Sequence, residues 1–208
     1  MIDIKTLEIA GFSPALHGMR NPKNSWKRAD TVSNSLFESG VVIGENDYIL
    51  ALNLSSAGPV HAKYRRMITV YADIIAPLYW WKEFDTYKVG TVANSCSTMH
   101  KIQEKEFTLD DFSCEHLYGT AQNELYHTIE LLNVYRDLYE RNGHVKDDWW
   151  QMIQLLPSSY NQKRTVMMNY EVLANICEQR FGHKLDEWRD FIHWAENLPY
   201  SDLFLVRK

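Results

Sequence analysis

The sequence is poor in cysteine: its three cysteines, Cys96, Cys114 and Cys177, are odd in number and form no C-x-x-C pair. A disulfide framework needs paired cysteines, and structural zinc sites usually use closely spaced cysteine or histidine pairs. The cysteine pattern therefore argues against both kinds of stabilisation. It fits a protein of the reducing cytoplasm, which is the location we expect.

The sequence also lacks long apolar runs and long basic runs. No apolar stretch approaches the roughly 20 residues needed to span a bilayer, and the N-terminal run MIDIKTLEIAG lacks the basic-then-apolar order of a signal peptide. The net charge is −5, and no lysine or arginine run is long enough to follow a phosphate backbone. We therefore expect neither a membrane nor duplex nucleic acid as a partner, whereas a small anion in a local basic pocket is compatible with this composition.

The 208 residues are 45% hydrophobic and 13% aromatic, which is typical of a globular protein. A chain of this length buries enough surface for one proper core, and no repeat, linker or low-complexity tract divides it. We predict a single domain over residues 1–208.

Strand patterns dominate the first half of the chain. Alternating apolar residues predict a strand at 2–9 and another at Met67–Ile75, in which Ile68, Val70, Ala72 and Ile74 share one face. The first half also contains predicted helices at Pro14–Met19, 46–55 and Leu78–Asp85, a helical turn at His61–Arg66, and a polar loop at Thr86–His100.

Helical patterns dominate the second half. Apolar residues at spacings of three and four predict a long amphipathic helix at His116–Glu140. Further helices are predicted at Asp147–Leu156, Arg164–Phe181 and Leu185–Glu196. A strand-containing first half and a helical second half predict an α+β domain, and the apolar helix faces predict an oligomer.

The stretch from His61 to His100 is the candidate centre of a functional site. It reads as a strand, a short aromatic helix and then a polar loop, and loops held by rigid elements commonly carry function. A core hairpin with solvated polar ends is the alternative interpretation. Trp80 and Trp81 similarly suit either stacking on a ligand ring or packing in a core, and we favour the core.

Two stretches resemble the flavin-dependent thymidylate synthases. The late region of that family reads L-P, then T-x-N-x-R-S-L-x-x-F-L-x-x-R, then H-A-Q-x-E-I-R. Within Leu155–Phe191, the residues that match it at the same spacings are Leu156-Pro157, Asn169, Leu173, Arg180, His183, Glu187 and Arg189, with Asn175 as a second asparagine. Earlier in the chain, the family has an H-A pair, a strand and a proline. These are matched without a gap by His61-Ala62, the strand Met67–Ile75 and Pro77. The resemblance covers about two thirds of the chain, and it implies a thymidylate synthase-complementing-protein-like fold, a small sheet with long amphipathic helices.

The family's signature, R-H-R-x(7)-S, is eroded in this sequence. Its first three positions fall on Thr86, Tyr87 and Lys88, and its serine falls on Cys96 or, with one insertion, on Ser97. Three further family residues are also replaced. The glutamine before the signature becomes Glu83, an arginine before L-P becomes Ile153, and the arginine two residues after Asn169 becomes Glu171.

The resemblance implies FAD as cofactor, dUMP or a related pyrimidine nucleotide as substrate, NADPH and methylenetetrahydrofolate as co-substrates, and a homotetramer with shared sites. The implied FAD-binding residues are His61, Tyr87, Lys88, Asn169 and Asn175. The implied substrate-binding residues are Glu83, Cys96, Ser97 and Arg180, and the implied catalytic residues are Arg180 and Ser97.

Each implied role has a structural alternative. His61 can cap a turn, and Arg180 can be a cation at a helix C-terminus. The cations Lys63, Arg65, Arg66 and Lys88 either take over phosphate binding from lost arginines or form a solvated surface cluster. A helix through residues 164–181 would place Asn169 in its interior, about 16 Å from Arg180 and on the same face.

These residues lead to two hypotheses from different functional classes. The first is a divergent flavin-dependent thymidylate synthase, a methyltransferase of nucleotide biosynthesis that transfers a one-carbon unit to a pyrimidine deoxynucleotide. The second is a catalytically silent relative that acts as a nucleotide-binding, flavin-binding or protein-interaction module.

Overall fold

The structure is a computed structural model that describes residues 1–205, and it has the mixed helix-and-strand architecture predicted from the sequence. Its strands are β1 (Asp3–Ala10), β2 (Val32–Ser33), β3 (Val41–Val42), β4 (Thr69–Pro77), β5 (Thr91–Ser95) and β6 (Asn161–Asn169). Four of them form a sheet in the order β1-β4-β6-β5, and β2 pairs antiparallel with β3. The α+β prediction is confirmed.

The helices are α1 (Phe12–Gly18), α2 (Glu45–Ser56), α3 (Leu78–Phe84), α4 (Thr120–Arg141), α5 (Lys146–Leu155), α6 (Tyr170–Arg180) and α7 (Asp186–Glu196). Short 3-10 turns lie at Asn21–Lys23, Trp26–Arg28, Lys63–Met67, Leu109–Asp111 and Ser201–Leu203. Most predicted elements are present within a few residues of their predicted ends. Helix α4 begins later than predicted, after Gly119, whose positive φ breaks the helical path.

The chain divides into two compact units. The first consists of Met1–Asp3, Ile75–Asp85 and Ser95–Arg164, and the second consists of Ile4–Ile74, Thr86–Asn94 and the described residues from Thr165 onward. The single-domain assignment of the sequence stays a prediction.

The first unit has its core between α4 and α5. Leu125, Ile129 and Leu132 lie on one side of α4 and pack with Met152 of α5. The spacing of four and three residues places the α4 side chains on one helix face, as the sequence pattern predicts.

The second unit has its core around β4 and α6. Ile68, at the start of the strand region, is fully buried, and its carbonyl accepts a hydrogen bond of 3.0 Å from the backbone of Tyr170. The ring of Tyr170 lies edge-on to Phe12 at 5.5 Å. Val70 and Ala72 alternate inward with Ile68, so the predicted buried face of this strand is confirmed.

The predicted helix Arg164–Phe181 is wrong in its first third. Residues up to Asn169 belong to β6, and α6 begins only at Tyr170. Val166 and Met168 are fully buried whereas Lys163 and Thr165 are exposed, which is the period-two burial of a strand. The predicted loop Thr86–His100 is wrong in part for a similar reason, because it contains β5.

Trp80 and Trp81 are both completely buried in the first unit, at a centroid separation of 4.9 Å and an interplanar angle of 73°. The backbone N–H groups that begin their helix, those of Leu78 and Tyr79, donate to the carbonyls of Tyr160 and Ser158. The core interpretation of the two tryptophans is confirmed.

A buried ion pair fixes the irregular segment between α1 and α2. Nε of Arg20 donates to Asp47 at 2.5 Å, and the backbone N–H groups of Asp30 and Thr31 donate to the same carboxylate. Burial acts to raise the pKa of Asp47, but the hydrogen bonds from Thr31, Arg20 and the backbone outweigh it and lower that pKa below its usual value.

Candidate functional site

Arg180, the last residue of α6, is held among aromatic side chains of the second unit. Its Nε donates to the Tyr87 hydroxyl at 2.8 Å, and its guanidinium carbon lies 5.5 Å from the centre of the Tyr87 ring. The Trp188 ring lies 4.7 Å from the same carbon. Both separations are within cation–π range, so contacts to two rings and one hydrogen bond fix the arginine.

His183 offers Arg180 a weaker contact. Its Nε2 lies 3.3 Å from an Nη of Arg180, and its Nδ1 accepts from the backbone N–H of Leu185 at 3.2 Å. A neutral imidazole has a single acceptor nitrogen, so the two donors compete for it. Of these two contacts, the bond from Arg180 to Tyr87 is therefore the firmer one.

Asn169 caps the N-terminus of α6. Its side-chain oxygen accepts from the backbone N–H of Val172 at 2.9 Å, which satisfies one of the free donors of the first turn. The prediction that Asn169 lies in a helix interior is wrong, because the strand before it runs directly into the helix. The geometric argument that placed Asn169 and Arg180 on one helical face is lost with it.

The segment that carries the eroded signature is an anchored turn. The hydroxyl of Thr91 donates to the carbonyl of Tyr87, and Gly90 adopts a φ of +87°. A Cβ at Gly90 would come within 2.8 Å of the Asn169 amide nitrogen. The turn thus contacts both ends of α6: Tyr87 is bonded to Arg180, the last residue of the helix, and Gly90 lies against Asn169, its N-cap. Lys88 is exposed.

Glu171, where the resembled family has an arginine, is buried in an ion pair. Its Oε2 lies 3.6 Å from Nη1 of Arg65, and both side chains are buried. Nε of Arg65 donates to Ser55 at 3.2 Å, and the Ser55 and Tyr64 hydroxyls are 2.6 Å apart. Burial raises the pKa of Tyr64, and the nearby Glu171 adds to the effect. The assignment of Arg65 to a phosphate-binding or solvated cluster is therefore wrong, because its guanidinium is buried and paired within the protein.

The remaining cofactor-binding candidates of the second unit are at its surface. His61 and Asn175 are exposed, as are the two cations Lys63 and Arg66. His61 follows a turn in which its backbone N–H donates to the carbonyl of Gly58.

The substrate-binding candidates Glu83, Cys96 and Ser97 belong to the first unit. Ser97 is half-buried, and its hydroxyl accepts from the backbone N–H groups of Met99 and His100 at 3.2 and 3.1 Å. It therefore shapes a turn. Cys96 is exposed with a free thiol, and its backbone is fixed to β6 by the N–H···O bond to Lys163 at 2.9 Å.

Sequence reasoning missed a cluster around Arg164 in the first unit. The guanidinium lies 4.2 Å from the centre of the Trp81 ring, donates to Gln162 at 2.9 Å and donates to Asp85 at 2.7 Å. The Gln162 amide in turn donates to the carbonyl of Cys96 at 2.8 Å. Asp85 directly precedes the signature segment in the sequence. Alternation of the β6 side chains was the signal that could have identified the cluster.

The structure thus places Tyr87 against Arg180 at the C-terminal end of α6 and Gly90 against Asn169 at its N-terminal end, with the exposed Lys88 in the segment between them. Among residues 1–205, no cluster of histidine, cysteine or acidic side chains suits a metal ion, and no helix is long and apolar enough to cross a membrane.

Comparison with solved structures gives the architecture a name. Over 99% of this chain and 97% of the other, the fold matches thymidylate synthase X from Helicobacter pylori, solved with FAD and dUMP, at a TM-score of 0.72 and 16% identity. A second structure of the Helicobacter pylori enzyme with FAD and dUMP matches at a TM-score of 0.70 and 15% identity, over 98% of this chain and 97% of the other. The chain has the flavin-dependent thymidylate synthase fold.

A further structural match extends this fold group. The UMP/dUMP methylase PolB from Streptomyces cacaoi, bound with 5-Br dUMP, matches at a TM-score of 0.55 and 10% identity, over 84% of this chain and 75% of PolB. The sequence itself matches no protein-family model and no curated protein. At these identities the comparison establishes the flavin-dependent thymidylate synthase fold, and the chemistry has to be argued from the residues.

Proposed function

We propose that this chain binds FAD and a pyrimidine deoxynucleotide, and that it uses them for one-carbon transfer to the pyrimidine, as a divergent relative of the flavin-dependent thymidylate synthases. The observation that carries the proposal is the fold match over 99% of the chain, with structures solved with FAD and dUMP. The contact of Tyr87 with Arg180 and of Gly90 with Asn169 supports it, because Asn169 and Arg180 match the family's motif and Tyr87 stands at a position of its signature.

The surface residues fit a flavin dinucleotide. Such a ligand needs cations for its phosphates and amide or imidazole groups for its ring edges. Lys88, His61 and Asn175 all present exposed polar groups, and the Asn169 amide is partly exposed while its oxygen caps α6. When bound, the flavin supplies the redox chemistry and the relay of the one-carbon unit. The protein's part is to hold and orient both ligands.

On the nucleotide side, Arg180 is proposed as the phosphate anchor and as a catalytic positioning group. Glu83, Cys96 and Ser97 are the other substrate residues of the proposal, with Ser97 as a second catalytic residue. NADPH and methylenetetrahydrofolate would be the reductant and the carbon donor. A cytoplasmic location belongs to the same proposal.

A binding module without catalysis is the second candidate. The observation that favours it is the buried pair of Arg65 and Glu171. It turns a position that is cationic in the resembled family into a neutralised structural contact. Together with Thr86 and Tyr87 in place of two signature residues, this pair leaves fewer cations available for two phosphorylated ligands.

Flavin binding is the first test of the proposal. Purified protein incubated with FAD should acquire an absorbance band at about 450 nm, and fluorescence titration should give a saturable affinity. His61→Ala and Asn175→Ala should each weaken that affinity severalfold, whereas Gln179→Ala, at an exposed position of the same helix, should not.

Two outcomes separate the candidates. FAD binding together with formation of dTMP from dUMP supports the enzyme, and FAD binding without turnover supports the module. A colourless protein with no measurable FAD or dUMP affinity contradicts the enzyme and favours a silent module that acts through protein interactions.

A further inference from the structure

We propose that a basic loop at residues 20–29 binds single-stranded nucleic acid, with Trp26 as a stacking platform for a base and with Lys23, Lys27 and Arg28 as phosphate contacts. The loop lies between α1 and α2 in the second unit. It contains none of the residues assigned to the flavin or to the pyrimidine nucleotide. This interaction is therefore separate from the proposed function.

The charge of this part of the chain differs from that of the whole protein. The net charge is −5, but residues 9–29 contain four lysines and arginines and no aspartate or glutamate. Of the four cations, only Arg20 is buried in an ion pair. The other three, Lys23, Lys27 and Arg28, are exposed, and no acidic side chain in the described part of the chain pairs with them. They are therefore available to an anion.

Trp26 gives the loop an aromatic surface beside these cations. Its side chain is 43% exposed, whereas tryptophan is highly buried on average. Its Nε1–H donates to the side-chain oxygen of Asn21 at 2.9 Å, and the His17 ring lies nearly parallel to it, at a centroid separation of 6.4 Å and an angle of 22°. These contacts orient the indole while it remains exposed to solvent. Single strands stack their bases on aromatic rings that lie beside cations.

The backbone of the basic loop is held in shape before any partner binds. The N–H of Ser25 donates to the carbonyl of Arg20 at 3.3 Å, and Nη1 of Arg20 donates to the carbonyl of Ser25 at 3.4 Å. The bonds from Arg20 Nε and from the backbone of Asp30 to Asp47 attach both ends of the loop to α2. A preorganised surface loses less conformational entropy on binding.

The size of the basic loop suits a short single strand. Arg28 is five positions after Lys23, so their Cα atoms are at most about 18 Å apart even along an extended chain. Single-strand sites take roughly 4–16 nucleotides. Specific duplex binding commonly involves more phosphate contacts than three cations provide, and a membrane surface needs apolar side chains that insert. Trp26 is the only large apolar residue of the loop, and its N–H is already bonded.

The test uses a fluorescein-labelled oligothymidylate of about 12 nucleotides and fluorescence anisotropy at a series of salt concentrations. Three phosphate contacts to a single strand predict a slope of about −2 for log affinity against log salt. The triple variant Lys23→Ala/Lys27→Ala/Arg28→Ala should lose about tenfold or more in affinity at low salt, and its slope should approach zero.

A second triple variant controls for net charge. Lys5→Ala/Arg141→Ala/Lys146→Ala removes the same charge at exposed positions elsewhere in the chain. It should keep most of the affinity and the salt slope of the unmodified protein. Equal losses in the two triple variants would show a general attraction to the whole molecule and overturn the assignment to the loop.

Variants of Trp26 test stacking separately from charge. Trp26→Ala should lower the affinity about fivefold or more, because stacking on a base is lost, and it should leave the salt slope unchanged. Trp26→Phe lacks the same N–H but keeps a ring, so it should retain most of the affinity. Both variants lose the bond to Asn21, and the difference between them therefore reports the ring itself.

The remaining outcomes decide against a single strand. Unchanged affinity in Trp26→Ala would point to an acidic peptide or another polyanion, for which the ring is not needed. Tighter binding to a duplex of the same length, or to phosphatidylserine–phosphatidylcholine vesicles, would also overturn the proposal, as would the absence of binding at low salt. FAD titration of the loop triple variant should match that of the unmodified protein. A parallel loss of FAD affinity would assign the loop to the flavin site and overturn its separate role.

Discussion

At the scale of single residues, the buried pair of Arg65 and Glu171 separates structural from ligand-binding charge. Removal of one partner of a buried ion pair leaves an uncompensated charge and costs about 3–5 kcal/mol, whereas replacement of both by apolar groups is often neutral. The pair joins the 3-10 turn before β4 to the first turn of α6. The negative charge also suits the helix N-terminus.

We predict that Arg65→Met and Glu171→Leu each lower the free energy of unfolding by about 3 kcal/mol. The double variant Arg65→Met/Glu171→Leu should lose much less than the sum of the single losses. Urea unfolding of all four proteins gives the coupling energy directly. Strictly additive losses would show that the two charges do not interact, and Arg65 would again be available as a ligand cation.

Single residues were also where the sequence was informative about the site. Arg180 was assigned to a ligand or to a helix C-terminus, and it does occupy the last residue of α6. Its bond to Tyr87 joins residues 93 positions apart. Such a contact depends on the tertiary path of the chain, so neither helical spacing nor propensity could predict it.

At the scale of elements, the turn before β5 depends on Gly90 for two reasons that can be separated. Its φ of +87° is strained for any other residue, and a Cβ there would come within 2.8 Å of Asn169. Gly58 has a φ of +97° with nothing within 4 Å of its would-be Cβ. Gly58→Ala therefore measures the backbone cost alone.

We predict that Gly58→Ala lowers the free energy of unfolding by about 1 kcal/mol. Gly90→Ala should cost roughly another 1 kcal/mol, because Asn169 must shift and its cap weakens. The measurement is the difference between the two variants in urea. Equal losses would mean that Gly90 and Asn169 yield freely, and the turn would then not be anchored to α6.

Element prediction from the sequence succeeded where one face of an element is buried. The alternation in β4 and the three-and-four spacing in α4 predicted both elements. Strand β5 was missed because it lies at the sheet edge with side chains largely exposed, so no apolar pattern marks it. Residues 164–169 of β6 were assigned to a helix that continues into α6; Arg and Met favour helices, and sheet pairing overrides that preference.

At the scale of the whole molecule, α4 has an apolar stripe that the described part of the chain leaves open to solvent. Leu131, Val134 and Leu138 are 41%, 52% and 36% exposed, and their spacing of three and four residues places them on one side of the helix. The core-facing residues Leu125 and Ile129 lie on another side. Exposed apolar patches of this kind typically mark interaction surfaces.

We predict that the stripe contributes to a homotetramer. Val134→Glu should reduce the assembly to smaller species in light scattering at micromolar concentration, because a buried unpaired charge is costly at an interface. Tyr126→Glu, an exposed position of α4 outside the stripe, is the matched control and should keep the mass. A monomer for the unmodified protein would contradict the homotetramer.

The direct junction of β6 and α6 has a consequence for how this protein can vary in evolution. The strand ends at Asn169 and the helix begins at Tyr170, with no connecting residue between them. One inserted residue would turn the helix by about 100° about its own axis and swing Arg180 away from Tyr87. Surface connections elsewhere in the chain tolerate changes of length. Relatives that share this site should therefore differ in loop length elsewhere, while the eleven-residue interval between Asn169 and Arg180 stays constant.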